Sequence, residues 1–263
     1  MALTITKTKM LHSPAITIEQ GVIRYQQDTQ PVLSGLDMQM PAQGWSCILG
    51  RSGCGKTTLL RYLANLLTDK VQWSGELSTS NQIALKEQVA YMAQQDLLMP
   101  WLNVLDNVLL SEKFTPKTPS SPSKTQQYHK ALTLLAEVGL ADKVQALPQN
   151  LSGGMRQRVA LARTLMQDKP VVLMDEPFSA LDAVTRYKLQ NLAHQLLKDK
   201  TVLLITHDPL EAVRLADQLY ILHGKPAFAS ALSLPNSAPP RALNAESAIL
   251  QQQIIQQLEQ DYE

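Results

Sequence analysis

The chain has 263 residues, 44% of them hydrophobic and 18% charged, enough for a sizeable core in one large domain or two small ones. Its 24 basic and 23 acidic residues leave a formal net charge of +1 with no block of like charge, which sets aside a nucleic-acid-binding protein. The opening "MALTITKTKMLHSPAITIE" lacks the apolar centre of a signal peptide, and no apolar run is long enough to cross a bilayer.

In chain order, "ITIEQGVIRY" (16–25) and "VLSGLDMQM" (32–40) alternate in a β-rich way and read as antiparallel strands. "GWSCIL" reads as the end of a buried strand, and it runs into "LGRSGCGKTTLLRYLA". Beyond that loop Leu59, Leu60, Leu63, Leu66 and Leu67 recur at helical spacing. "GELSTSNQIALKEQVAYMAQQ" is read as short strands and turns. From Leu102 to Leu140 "WLNVLDNVLL" and "HKALTLLAEVGL" are amphipathic helices, separated by the proline- and serine-rich loop "TPKTPSSPSKTQQ". A helix over residues 156–167 precedes the apolar run "PVVLMDEP", which has the composition of a central parallel strand. A helix near 183–198, the strand "TVLLITH", a helix near 209–216 and the strand "QLYILH" complete an α/β alternation. After His223 the segment "GKPAFASALSLPNSAPPRALN" is read as a connector, followed by a helix with Leu250, Ile254 and Leu258 in one stripe beside Ile255. That stripe is expected to pack on its own domain; binding of a partner is the second reading.

Three short constellations carry the chemistry. Gly50, Gly55, Lys56 and Thr57 meet the pattern G-x-x-x-x-G-K-[ST] in its strand–loop–helix context. Glycines at 50, 53 and 55 let backbone N–H groups turn inward to cradle phosphate at the start of a helix. Residues Gly50, Arg51, Ser52, Gly53, Cys54, Gly55, Lys56, Thr57 and Thr58 are therefore assigned to a nucleotide, with Lys56 bridging its β- and γ-phosphates. Cys54 is read as a small residue that fits the loop, and the two cysteines, Cys47 and Cys54, as reduced thiols of a cytoplasmic protein. By itself the loop leaves kinases, GTPases and ATPases open. Asp175 and Glu176 end the apolar run: Asp175 with Thr57 is suited to Mg²⁺, and Glu176 to orienting or deprotonating a water. In "LSGGMRQRVALARTL" Ser152 is placed to cap a helix and Gly153 and Gly154 to admit a close backbone approach, a second anion-binding surface. One phosphate loop with two anion surfaces points to a head-to-tail pair of chains.

With these motifs the chain resembles the ATP-binding cassette family over roughly residues 14–224, "LSGGMRQ" matching its signature. The resemblance implies a P-loop α/β core with a mostly parallel central sheet, an N-terminal antiparallel β subdomain, and a helical subdomain over about 95–160; residues 225–263 stand outside this domain. It implies ATP and Mg²⁺ as ligands. It places Gln94 of "YMAQQD" against Mg²⁺ or the attacking water, "SALD" (Ser179 to Asp182) at a dimer interface, His207 of "LLITHDPLEA" on the γ-phosphate, and Tyr25 on adenine. A single cassette without a heptad run disfavours the translation and repair branches of the family, and a nucleotide kinase would leave "LSGGMRQ" unexplained. "LLMPWLNVLDNV", "DEPFSALDAVTR" and "THDPLEAVRLAD" are similar to importer ATPases of the nitrate, taurine and aliphatic-sulfonate group, which includes carriers of thiamine pyrimidine precursors. The resemblance implies a peripheral subunit on the cytoplasmic face of the cell membrane, paired with a second copy, docked on a separate permease, and served indirectly by a periplasmic or extracellular solute-binding protein. A soluble ATPase without a permease is the alternative.

Overall fold

The computed structural model describes residues 13–67, 69–115, 118 and 121–260. The reading of residues 1–12 as no part of a signal peptide, and that of 116, 117, 119 and 120 as loop, lie outside the described residues. Alternation in the first segment makes β1 (Ile16–Tyr25), whose buried Ile16, Ile18 and Ile23 face a core while Glu19 and Arg24 face solvent. It pairs antiparallel with β2 (Leu33–Met40) and β4 (Val71–Thr79), forming a three-stranded sheet.

The second sheet has six strands. β3 (Trp45–Gly50), β5 (Val89–Met92), β6 (Val171–Asp175), β7 (Thr201–Ile205) and β8 (Gln218–His223) run parallel in the order β5-β6-β7-β3-β8. β3, β6 and β7 are buried throughout because both faces are covered, which explains their continuous apolar runs. Alternate residues feed two cores. Cys47, Leu49, Val172, Met174, Val202 and Leu204 enter one; Ile48, Val171, Leu173, Leu203 and Ile205 enter the other, with helix α1 (Lys56–Leu63).

A third core joins α2 (Val104–Val108), α3 (Lys124–Glu137) and α4 (Gly153–Met166) through Val104, Val108, Ala131, Leu135, Val159 and Ala162. Helix α4 is a wedge: Val159 and Ala162 face this cluster while Ala160 and Leu161 face the sheet. Its local signals are strong. Ser123 and Gln126 form a reciprocal capping box on α3, and Ser152 caps α4 by accepting from Met155 N at 3.3 Å. α5 (Ala183–Leu196) and α6 (Pro209–Leu215) complete the crossovers, capped by Asp182 and Asp208.

Some elements differ from the sequence expectation. Helix α1 stops at Leu63, Asn65 turns the chain at φ +60°, and Leu66 is left 55% exposed, so the leucine repeat outlasts the helix. α4 begins three residues before the expected 156. Phe228–Leu232, within the presumed connector, is a strand (β9) that pairs antiparallel with β8 and closes the sheet edge. Helix α7 (Ala245–Gln260) packs inward as expected: Leu250 and Ile254 are buried with the sheet core, and Ile255 remains 40% exposed.

Candidate active site

The parallel register fixes where the site is. Ile48 of β3 and Asp175 of β6 both pair with Ile205 of β7, so the loop after β3, the Asp175–Glu176 pair and His207 emerge side by side at the carboxyl ends of the strands. That is where ligands bind in open α/β sheets. A cleft of about 430 Å³ opens there, lined by Gly50, Ser52, Gly53, Gly55, Lys56, Thr57, Thr58, Gln94, Glu176 and His207.

The loop needs its glycines. Gly53 and Gly55 stand at φ +77° and +105°, and a Cβ at Gly55 would come within 2.8 Å of Val32. Lys56 is 7% exposed and folds back along the loop, donating Nζ to Gly50 O (2.7 Å) and Arg51 O (2.9 Å). The loop is thus a preformed ring closed by its own cation, whose ammonium faces the space the backbone encircles. Arg51 contributes its carbonyl rather than a cleft-lining side chain. Cys54 turns away: its side chain lies in the core under the loop and burial raises its thiol above the ordinary range. Its place among the ligand contacts is therefore limited to backbone.

Glu176 and His207 meet across the cleft. The Nδ1 of His207 lies 3.0 Å from Glu176 Oε2, and Gln94 Nε2 donates to the same oxygen at 3.1 Å. Glu176 sits at φ +46°, a left-handed conformation that costs a non-glycine residue roughly 1–3 kcal/mol. Its N–H donates to Ile205 O at 2.9 Å and its carbonyl accepts from Ser179 Oγ at 3.0 Å, contacts that hold the turn in place. The turn swings the carboxylate out of the strand direction and over the cleft.

Asp175 lies behind the loop, 4% exposed. Thr57 Oγ1 donates to its Oδ1 at 3.2 Å, and Tyr91 donates its hydroxyl to Oδ2 at 3.3 Å. Burial raises the Asp175 carboxyl above the usual range, the two hydrogen bonds oppose this, and the Glu176 charge adds to it. Two hard oxygens side by side at the end of a phosphate loop are the donors Mg²⁺ prefers, with phosphate oxygens and waters completing six. The pair fits that ion. Tyr91 had no signal in the sequence; its role follows from the parallel pairing of β5 with β6, which sets Tyr91 opposite Leu173. Tyr25 stands at the edge, half-buried, its hydroxyl 3.2 Å from Thr58 Oγ1.

The family model of the ABC transporter matches residues 33–179. The chain belongs to the ABC transporter family. It is 41% identical over 233 residues to an uncharacterized ABC transporter ATP-binding protein of Haemophilus influenzae, covering 87% of this chain and 93% of the relative. It is 42% identical over 231 residues to the aliphatic sulfonates import ATP-binding protein SsuB 1 of Xanthomonas axonopodis pv. citri (85% and 88% covered). With the corresponding SsuB of Yersinia pestis bv. Antiqua it shares 38% over 259 residues (95% and 89%). Among solved structures it is similar to an ABC transporter chain described as of metal-chelate type, in an inward-facing conformation. The TM-score is 0.68 and the identity 25%, with 83% of this chain and 84% of that one covered.

In this ABC ATPase the "LSGG" residues do not line the cleft. Ser152 and Gly153 are exposed at the start of α4, and Gly153 lines a separate hollow of about 490 Å³ with Gln94, Gln95, Asp96, Leu97, Arg156, Gln157, Ser179 and Ala180. Helix α4 grips the segment after Gln94. Arg156 Nε binds Asp96 Oδ2 at 2.9 Å, Gln157 Nε2 donates to Gln94 O at 3.1 Å, and Arg163 donates to Leu97 O at 2.8 Å and to Asp96 O. These three polar residues carry no sequence signal for this role, because their partners lie 60–67 residues earlier in the chain.

Proposed function

We propose that this ABC ATPase is the ATP-hydrolysing subunit of an importer for an aliphatic sulfonate. In this reading two copies close head-to-tail over two ATP molecules on the cytoplasmic face of the membrane, docked on a separate permease. The observation that carries the reading is the convergence of Gln94 and His207 on the Glu176 carboxylate beside the phosphate loop. The loop N–H groups and Lys56 hold the phosphates, and Tyr25 the base. Glu176, fixed by its two neighbours, takes the proton of the attacking water, and His207 is within reach of the γ-phosphate. Thr57 and Asp175 would hold Mg²⁺, with Gln94 at its margin; the ion supplies charge stabilisation for the transferred phosphoryl group. The chain's own contribution is placement of these groups before reaction.

The exposed Ser152 and Gly153, outside the cleft of their own chain, support closure by a partner copy. Leu97 and Trp101 support a permease: they are 53% and 73% exposed on the segment that α4 grips, apolar side chains presented to whatever docks there. Among the described residues no helix is long and apolar enough to cross a membrane. The sulfonate substrate is drawn from the relatives' names, and the periplasmic or extracellular binding protein from the importer reading. Reconstitution with a sulfonate permease and its binding protein in proteoliposomes tests the whole. Sulfonate-loaded binding protein should stimulate ATP hydrolysis, and stimulation by nitrate or a pyrimidine precursor alone would reassign the solute.

A further inference from the structure

Helix α6 follows His207 directly, and both of its ends are held by distant residues. At its start Asp208 Oδ1 accepts from Leu210 N (2.9 Å) and Glu211 N (3.4 Å), and Oδ2 takes Arg186 Nη1 at 3.2 Å. At its end the carbonyls that a helix leaves unpaired are met by Arg241. Arg241 Nη1 donates to Val213 O at 3.0 Å and to Ala216 O, its Nε and Nη2 donate to Pro235 O, and its backbone N–H donates to Arg214 O at 2.8 Å. Helix α7 then lays Leu250 and Ile254 into the core that holds Ala212, Val213, Leu215 and Ala216 of α6 and its end.

Arg241 is 6% exposed, and its hydrogen bonds all go to carbonyl oxygens. Burying a guanidinium is unfavourable, a cost that the nearby Asp217 and Glu246 charges offset in part, and an apolar side chain would avoid it only by depriving the Val213, Ala216 and Pro235 carbonyls of these donors. What the planar fork adds is direction: several donors in fixed geometry tie the last turn of α6 to the Pro235 bend. Helix α6 is only about 10 Å long for its seven residues. It is also cross-linked to α5, with Gln190 Nε2 donating to Glu211 Oε1 at 2.7 Å and Arg214 Nη1 to Gln190 Oε1 at 2.8 Å. These contacts form a continuous path from Arg241 through α6 to Asp208 and His207.

We propose that residues 235–260 form a strap on α6 and that Arg241 is a positioning residue for His207, acting through this helix. The inference rests on the reading of His207 as a γ-phosphate contact. It gives the C-terminal segment a part in hydrolysis, not in nucleotide binding.

The test uses the full-length chain with Arg241→Ala, Arg241→Lys and His207→Ala, measuring steady-state ATP hydrolysis and the histidine ring resonances by NMR. Arg241→Lys keeps the charge without the fork and stands in if Arg241→Ala does not fold. The strap predicts that Arg241→Lys lowers kcat about three- to tenfold while KM for ATP stays within about twofold. The His207 resonance, recognised by its loss in His207→Ala, should move while that of His129 in α3 stays. An unchanged kcat, a loss carried by KM, or a lower kcat with the His207 resonance unmoved would overturn the strap and leave the role of His207 standing. Wild-type hydrolysis by His207→Ala would overturn both.

Discussion

Nδ1 of His207 and Oε2 of Glu176 lie 3.0 Å apart, joining the loop after β7 to the loop after β6 across the phosphate cleft. With Gln94 on the same oxygen, Glu176 is oriented by two neighbours, neither of which belongs to the phosphate loop. Removing His207 should therefore damage the chemical step more than binding. His207→Ala should lower kcat by about 10²-fold or more, the usual scale for a group acting in proton transfer or charge placement, with ATP affinity little changed. Nucleotide binding by calorimetry beside steady-state phosphate release measures the split. A variant that binds ATP far more weakly would move His207 into the binding machinery.

Tyr25 separates ring from hydroxyl. In the proposed function its ring holds the base, whereas its hydroxyl lies 3.2 Å from Thr58 Oγ1. Tyr25→Ala should lose about 1–3 kcal/mol of nucleotide binding. Tyr25→Phe should bind ATP almost as wild type, with about 1 kcal/mol less stability from the missing hydrogen bond. Equal losses of affinity in the two variants would assign the contact to the hydroxyl.

Much of this site is legible in the sequence because its determinants are local. The glycines of 50–55, the DE pair after an apolar run and the Ser152 cap are each set by neighbouring residues. β9 is not legible: "FASAL" has little β preference, and it is a strand because β8 offers an open edge in register, Leu219 to Leu232. Tyr91 and Arg241 are silent for the same reason. Each acquires its partner only when strands or helices far apart in sequence are brought together, Asp175 in one case and the end of α6 in the other. The end of α1 is not legible either, since Leu66 continues a helical spacing that the turn at Asn65 has already ended.

The pH dependence of stability is predicted at Glu211. It is 5% exposed; burial raises its carboxyl above the usual glutamate range, while hydrogen bonds from Thr206 and Gln190 oppose the rise. With the folded value above the unfolded one, the folded state holds the proton more tightly. The contribution is favourable below the unfolded value and is lost as pH rises through the raised folded value. Glu211→Gln keeps an acceptor for Gln190 and removes the charge. Its melting temperature relative to wild type should therefore be higher at pH 8 than at pH 5. A difference that stays constant across this range would show that Glu211 has no raised carboxyl.

Tyr91 is expected to matter through the metal. Its hydroxyl occupies Asp175 Oδ2, leaving Oδ1 beside Thr57. Tyr91→Phe should raise the Mg²⁺ concentration needed for half-maximal ATP binding about 10-fold, the lower end for loss of an outer contact of a metal ligand. At saturating Mg²⁺ the affinity should return to wild type. Fluorescent nucleotide titration at several Mg²⁺ concentrations gives the answer, and an unchanged Mg²⁺ requirement would confine Tyr91 to packing.

In the proposed mechanism Glu176 activates water inside a cleft that a second copy closes, with the exposed Ser152 facing the partner copy's nucleotide. Glu176→Gln keeps the shape and the contacts to Gln94 and His207 while removing the base. Light scattering of this variant with and without ATP–Mg²⁺, alongside its hydrolysis rate, probes the base and the closure together. Hydrolysis should fall by about 10²–10⁴-fold and an ATP-dependent dimer should form, abolished when Ser152→Arg is added. Hydrolysis at the wild-type rate, or a protein that remains monomeric at saturating ATP, would contradict this mechanism.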